Sequence, residues 1–375
     1  MRESIDGKGF GVLCTGRLAD ARHVGLRRTL VLALGLLCAT RDAHAIVVKD
    51  NLYGVKAMSA SEAWAVGNFG SIYHTTDAGR TWTASDSGTK FPLFAVDFAN
   101  AQDGWIVGKS GLILHTGDGG KTWASQKCPI PPEKHLFNLR VVDARTVWAV
   151  GDWGAMTVTH DGGQTWEDRS LGTITVKVEE TPQRTMNTLT DDVILYDVSF
   201  PDAQHGFVTG EFGTLLVTAD GGKTWERREV GTEKTLFGVC FVSPDEGWTV
   251  GIDGLILHTR DGGRRWDVQH GAAEAGSIED LGFLETLKNP GLYAVQVQGS
   301  YGVVVGDTGK LMISTDGGRT WTPRELPEKQ RLVWIRSVSL LPGTQGFAVG
   351  ANGFTAGLDH DRVVLAEDGV QAPQE

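Results

Sequence analysis

An all-β, seven-bladed propeller of four-stranded antiparallel blades is the fold this sequence predicts, and three observations predict it. The first is an eight-residue signature that recurs six times: TTDAGRTW (75–82), TGDGGKTW (116–123), THDGGQTW (159–166), TADGGKTW (218–225), TRDGGRRW (259–266) and STDGGRTW (314–321). Its closing tryptophans are 41, 43, 59, 41 and 55 residues apart, the spacing of a repeat architecture. The second is a G-x-x-G turn preceded by a short apolar run, which occurs seven times, in WAVGNFG (64–70), WIVGKSG (105–111), WAVGDWG (148–154), FVTGEFG (207–213), WTVGIDG (248–254), VVVGDTG (303–309) and FAVGANG (347–353). Seven turns against six signatures count seven blades. The third is the content of a single unit.

In 93–126, LFAVDFA alternates like a strand, NAQDG turns, and GWIVG is a short apolar strand. A tight turn at Lys109 and Ser110 leads into LILHT, and the signature turns the chain into TWASQ. Four strands separated by regular turn signals make one antiparallel blade. The seventh unit lacks the signature after Gly353. Ring closure calls for one blade completed by a chain end, since an open ring leaves unpaired edges. The segment 46–50 (IVVKD) is expected to supply that outer strand, with 363–366 as the alternative.

Each signature residue has a mechanical reading. The aspartate is expected to accept backbone amides two residues on, the glycine two positions later to take φ > 0, and the Ser/Thr hydroxyl to bond locally. The tryptophan buries a large ring over the turn. Asp77, Asp118, Asp161, Asp220, Asp261 and Asp316 are therefore read as structural, not catalytic. A calcium site would need further oxygen ligands at regular spacing, so no metal or cofactor is expected.

The chain has 375 residues, 50 of them glycine and 12 tryptophan, with 41% hydrophobic and 22% charged residues, so the glycine reflects turns and not disorder. Residues 1–45 differ in kind. Arg27 and Arg28 precede the apolar run 30–39, and Ala43-His44-Ala45 is a small-x-small pattern, so a secretory signal peptide cleaved after Ala45 is expected, with a periplasmic location. The apolar run is too short for a permanent span, and no membrane insertion is expected after cleavage. Removal of 1–45 moves the net charge from −11 to near −14, a balance that resists nucleic acid. The mature chain, 46–375, keeps Cys128 and Cys240, which fall in separated blades with no disulfide expected between them. A monomer is expected.

In such a blade the G-x-x-G turns and the blade-to-blade connections share one face, here the first, and the aspartate turns lie on the second. Two long connections, about 167–192 and 270–291, emerge on the first face; the latter reads as a short helix. The first-face tips carry Phe69, Trp153 and Phe212 beside the acids Asp152, Glu211, Asp253 and Asp307, a candidate partner-binding set. Aligned inner strands bring Lys56, Asp97, Arg140, Ser199, Cys240, Gln296 and Ser339 to one register, aimed at the central channel, where alternating charge suggests an ion-pair ladder.

Propellers with aspartate turns include sialidases, which need an arginine cluster and a Tyr/Glu pair. Arg140 is the inner-strand arginine near the right face, Arg336 reads as lying at a different register, and tyrosine is scarce. His74, His115 and His258 repeat one position in separate blades, a packing pattern and not a metal cluster. No catalytic residue is assigned, and Asp280 and Glu285 stand without a partner acid.

The combined pattern G-W-x-V-G-x-x-G-x-[IL]-x-x-T-x-D-G-G-x-T-W, nearly whole at 104–123 and 247–266, resembles the photosystem II stability/assembly factor family, whose turn is known as the Asp box or BNR repeat. The resemblance covers 53–353. It implies a seven-bladed propeller that acts without catalysis, as a scaffold or accessory factor binding membrane-protein partners outside the cytoplasm. Photosynthetic members resemble one another in an arginine patch for their client. This chain departs from that with acidic tips, which point to another membrane or envelope protein, such as a transporter. The alternative is a glycan-binding or sialidase-like glycan-cleaving propeller.

Overall fold

Seven antiparallel sheets, one per repeat, form a closed ring in the computed structural model, which describes residues 46–178, 192–271, 289–360 and 362–365. The innermost strands are Leu52–Ala57, Leu93–Phe98, Leu136–Val141, Leu195–Ser199, Leu236–Phe241, Leu292–Gln298 and Ile335–Leu340. Each packs beside the next, and the last returns to the first. The signal segment, the helix expected in the second insertion, Asp280 and Glu285 lie outside the described residues.

Second strands such as Gly104–Gly108 and Gly247–Gly251 are buried at every position, because each blade is covered on both faces by its neighbours. The signature couples blades through them. Trp64, Trp148 and Trp248 reach under the Asp-box turn of the following blade, where a Cβ added to Gly120, Gly222 or Gly318 would lie 2.3, 2.1 or 2.7 Å from the indole. These glycines also hold φ of 75–85°, so two independent constraints exclude a side chain. Trp248 adds a hydrogen bond from Nε1 to the Gly318 carbonyl at 2.9 Å.

The seventh blade is completed from the C-terminal side. Arg362–Leu365 pairs antiparallel with Thr355–Asp359, which corrects the expectation for 46–50. The N-terminal segment instead clasps the junction between blades one and seven. Ile46 bridges Trp82, the Asp50 carboxylate accepts the Ser71 and Tyr73 hydroxyls at 2.5 Å each, and the Asp50 carbonyl accepts Gly353 N–H. Those bonds hold 46–51 at the junction of the two blades, while Arg362–Leu365 takes the outer edge of Thr355–Asp359. Blade four departs from four strands: Val176–Val178, from the first insertion, adds a fifth, parallel to Trp225–Arg228.

Candidate binding face and central cavity

The Asp boxes are closed hydrogen-bond knots. In the second blade, Asp118 Oδ1 accepts Thr122 N–H and the Thr116 hydroxyl, Oδ2 accepts the Thr122 hydroxyl at 2.7 Å, and Thr116 Oγ1 accepts Gly120 N–H. The same set recurs in four other boxes, and in the fifth the Arg265 guanidinium replaces the threonine hydroxyl as donor to Asp261 Oδ2. The bonded amide is four residues on, not two, because two successive positive-φ residues wrap the chain around the carboxylate. The hydroxyls of Thr122, Thr165 and Thr320, with their amides, hold Asp118, Asp161 and Asp316 down at about 2. At Asp77, Asp220 and Asp261 burial works the other way and the same bonds outweigh it.

On the first face, all seven G-x-x-G turns place their third residue in the left-handed region: Phe69, Ser110, Trp153, Phe212, Asp253, Thr308 and Asn352, with φ of 48–62°. For a residue with a Cβ this conformation costs about 1–2 kcal/mol. The three aromatics nevertheless stand in solvent, with Phe69 69%, Trp153 50% and Phe212 64% exposed. Phe91, on a connection of the same face, is exposed as well. The acids beside them are partly committed to the fold. Asp152 and Glu211 accept the His135 and Ile194 amides, Asp253 pairs with buried Lys234 at 3.0 Å, and Asp307 accepts Thr308 N–H.

The aligned inner-strand residues Lys56, Asp97, Arg140, Ser199, Cys240, Gln296 and Ser339 lie on the wall of a central cavity of about 680 Å³. Most of them satisfy the edge of the next blade. Asp97, Ser199, Cys240, Gln296 and Ser339 accept the backbone N–H of Val141, Phe241, Val297, Leu340 and Ala57 in turn. This protects innermost-strand amides that no fifth strand covers. The cations cannot accept. Lys56 pairs with Asp97 at 2.5 Å, while Arg140 points Nε at the Val198 carbonyl at 3.5 Å, so the expected charge ladder stops after one pair. Burial opposes the charge on Asp97, and Lys56 and Arg140 outweigh it to hold its pKa low.

One layer nearer the first face lies a feature that alternation hid. Every inner strand carries a β-bulge, and the extra residues are Tyr53, Phe94, Phe137, Tyr196, Phe237, Tyr293 and Arg336. Six aromatics form a collar with neighbouring ring centroids 4.9–6.1 Å apart. Arg336 takes the seventh place, its guanidinium 5.3 Å from the Tyr293 ring centre, and Trp334 stacks on Tyr53 to close the circle. Arg336 keeps the separate register expected for it, one layer nearer the first face than Arg140, yet both line the same cavity. The sequence signal was present as a sevenfold [LI]-[FYR]-x-[VL]. Just below the collar, Asp197 accepts Asn138 Nδ2 and the Val239 amide, and burial pushes its carboxyl up to about 6. His74 and His258 stack on Trp64 and Trp248, His115 packs tilted against Trp105, and Cys128 and Cys240 are free thiols.

Comparisons with known proteins agree with this architecture. The chain is similar to a structure described as YCF48 bound to D1 peptide, with 19% identity over 84% of this chain and 95% of that one, and a TM-score of 0.62. It is similar to YCF48 from Cyanidioschyzon merolae at 18% identity, covering 84% and 97%, with a TM-score of 0.63. An ancestral GH74 enzyme shares the fold at 12% identity, covering 83% of this chain and 46% of that one, with a TM-score of 0.57. No curated protein sequence matches the chain. A BNR/Asp-box repeat is matched at residues 312–323. The family described as photosynthesis system II assembly factor YCF48 is matched over residues 41–129 and 175–273, half of the chain, and the chain belongs to that family.

Proposed function

We propose that this chain is an exported, non-catalytic protein-binding scaffold, an assembly or accessory factor for a membrane or envelope protein complex, and that it grips its client with the first face. The observation that carries the reading is the set of solvent-exposed aromatic rings at Phe69, Trp153 and Phe212, each on a left-handed turn tip. A strained, exposed aromatic costs stability and solubility, and a partner that buries it accounts for the cost. Membership of an assembly-factor family supports the role, and the related YCF48 has been captured bound to a D1 peptide. The acidic tips Asp152, Glu211, Asp253 and Asp307 favour a client with a basic docking face, such as an envelope transporter, and the reading of 1–45 favours the periplasm. The Asp-box carboxylates are saturated by internal bonds, which suits clips and not nucleophiles.

The test is co-purification from detergent-solubilised membranes with tagged chain. Trp153→Ala/Phe212→Ala should lower recovery of the retained membrane protein by roughly tenfold or more, with an unchanged melting temperature. Undiminished recovery would refute the assignment of the face. Release of reducing sugar from an envelope glycan by the purified chain would refute the non-catalytic reading.

A further inference from the structure

We infer that the central cavity is a binding site for a small amphipathic monocarboxylate, its apolar body held by the aromatic collar and its carboxylate by the guanidinium groups of Arg140 and Arg336. This site is separate from the turn tips proposed to grip the client.

Three observations converge on it. The first is size: about 680 Å³ falls within the roughly 300–1,000 Å³ of small-molecule sites, which combine apolar walls with a few convergent polar groups. The second is the collar itself. A bulge breaks the regular ladder of its strand, and here all seven inner strands carry one at the same place; Tyr53, Phe94, Phe137, Tyr196, Tyr293 and Arg336 line the cavity, and Phe237 packs against Tyr196 and Tyr293. The five rings that line it are only half-buried, so they keep surface for a ligand.

The third is charge. The cavity wall holds three cations, Lys56, Arg140 and Arg336, against two carboxylates, Asp97 and Asp197. Lys56 and Asp97 neutralise each other. Among the described residues neither arginine has a carboxylate within ion-pair distance: Arg140 reaches the Val198 carbonyl at 3.5 Å, and Arg336 the Tyr293 carbonyl at 3.4 Å and the Tyr293 ring. One positive charge is thus in surplus at the centre of a chain whose formal net charge is −11. A guanidinium with open donors takes a carboxylate as a two-pronged pair. A single surplus charge selects a monoanion, and the collar selects an apolar body over acetate or inorganic phosphate.

Calorimetric titration of the mature chain with 4-phenylbutyrate, its neutral amide, acetate and inorganic phosphate tests this directly. The arylalkanoate should bind at least about tenfold tighter than its amide, the scale of hydrogen bonds to a charged group, and tighter than acetate or phosphate. Arg336→Gln should bring acid and amide to near-equal affinity, while Phe137→Ala should weaken both alike. Arg336→Lys, which keeps the charge, should retain part of the preference. Equal binding of acid and amide by the unaltered chain, or no binding at millimolar ligand, would overturn the inference, and these arms stand even if the variants fail to fold. Acetate binding as tightly as phenylbutyrate would overturn the role of the collar.

Discussion

At the scale of single residues, the aspartates divide by their surroundings. Hydroxyl and amide donors surround the box carboxylates, whereas Asp197 sits recessed in the channel wall, where burial dominates. Side-chain carboxyl NMR should therefore resolve Asp118, Asp161, Asp261 and Asp316 titrating near pH 2 and Asp197 near pH 6. The linkage signs are opposite. The box carboxylates titrate below their unfolded value of 3.8, so their contribution to stability is present above about pH 4 and is lost as pH falls towards 2. Asp197 titrates above its unfolded value, so its contribution is greatest below 3.8 and is lost as pH rises through about 6. The structural role of the box aspartates was legible because six copies share it. The four-residue reach of the bond was not, since it depends on two consecutive positive-φ residues. Asp197 was hidden inside LYDVSF, which reads as plain alternation.

At the scale of elements, the Trp–Gly lock joins one blade to the next. Gly222→Ala would drive a methyl into the Trp148 ring and strain a residue at φ 85°, at a cost of roughly 2–4 kcal/mol. A chemical denaturation curve should show that loss, whereas Gly231→Ala, with open space around it, should show only the strain of its φ of 80°. Strand order and turn positions were legible from repeat spacing. The collar was not: a bulge shifts the period-two pattern by one residue, so Tyr53 and Gly54 both come to line the cavity. The closing strand was misread because IVVKD and RVVL are equally apolar and only their anchors differ. Deleting 362–375 should expose the edge of Thr355–Asp359 and promote self-association in sedimentation. Asp50→Ala, which loses the bonds to Ser71 and Tyr73, should lower the melting temperature without self-association.

At the scale of the whole molecule, the two faces differ in purpose. Asp boxes clip the second face, and the first face presents exposed aromatics around a collared cavity. Export is proposed from 1–45, and intact mass of the secreted chain should begin at Ile46. Site-specific photo-crosslinking in intact cells distinguishes the two faces, with the reactive group at Trp153 on the first face and, in parallel, at Lys121 in a second-face turn. A discrete adduct with one membrane or envelope protein is expected from position 153 and none from 121. Adducts of equal yield from both positions, or from 121 alone, would contradict binding by the first face.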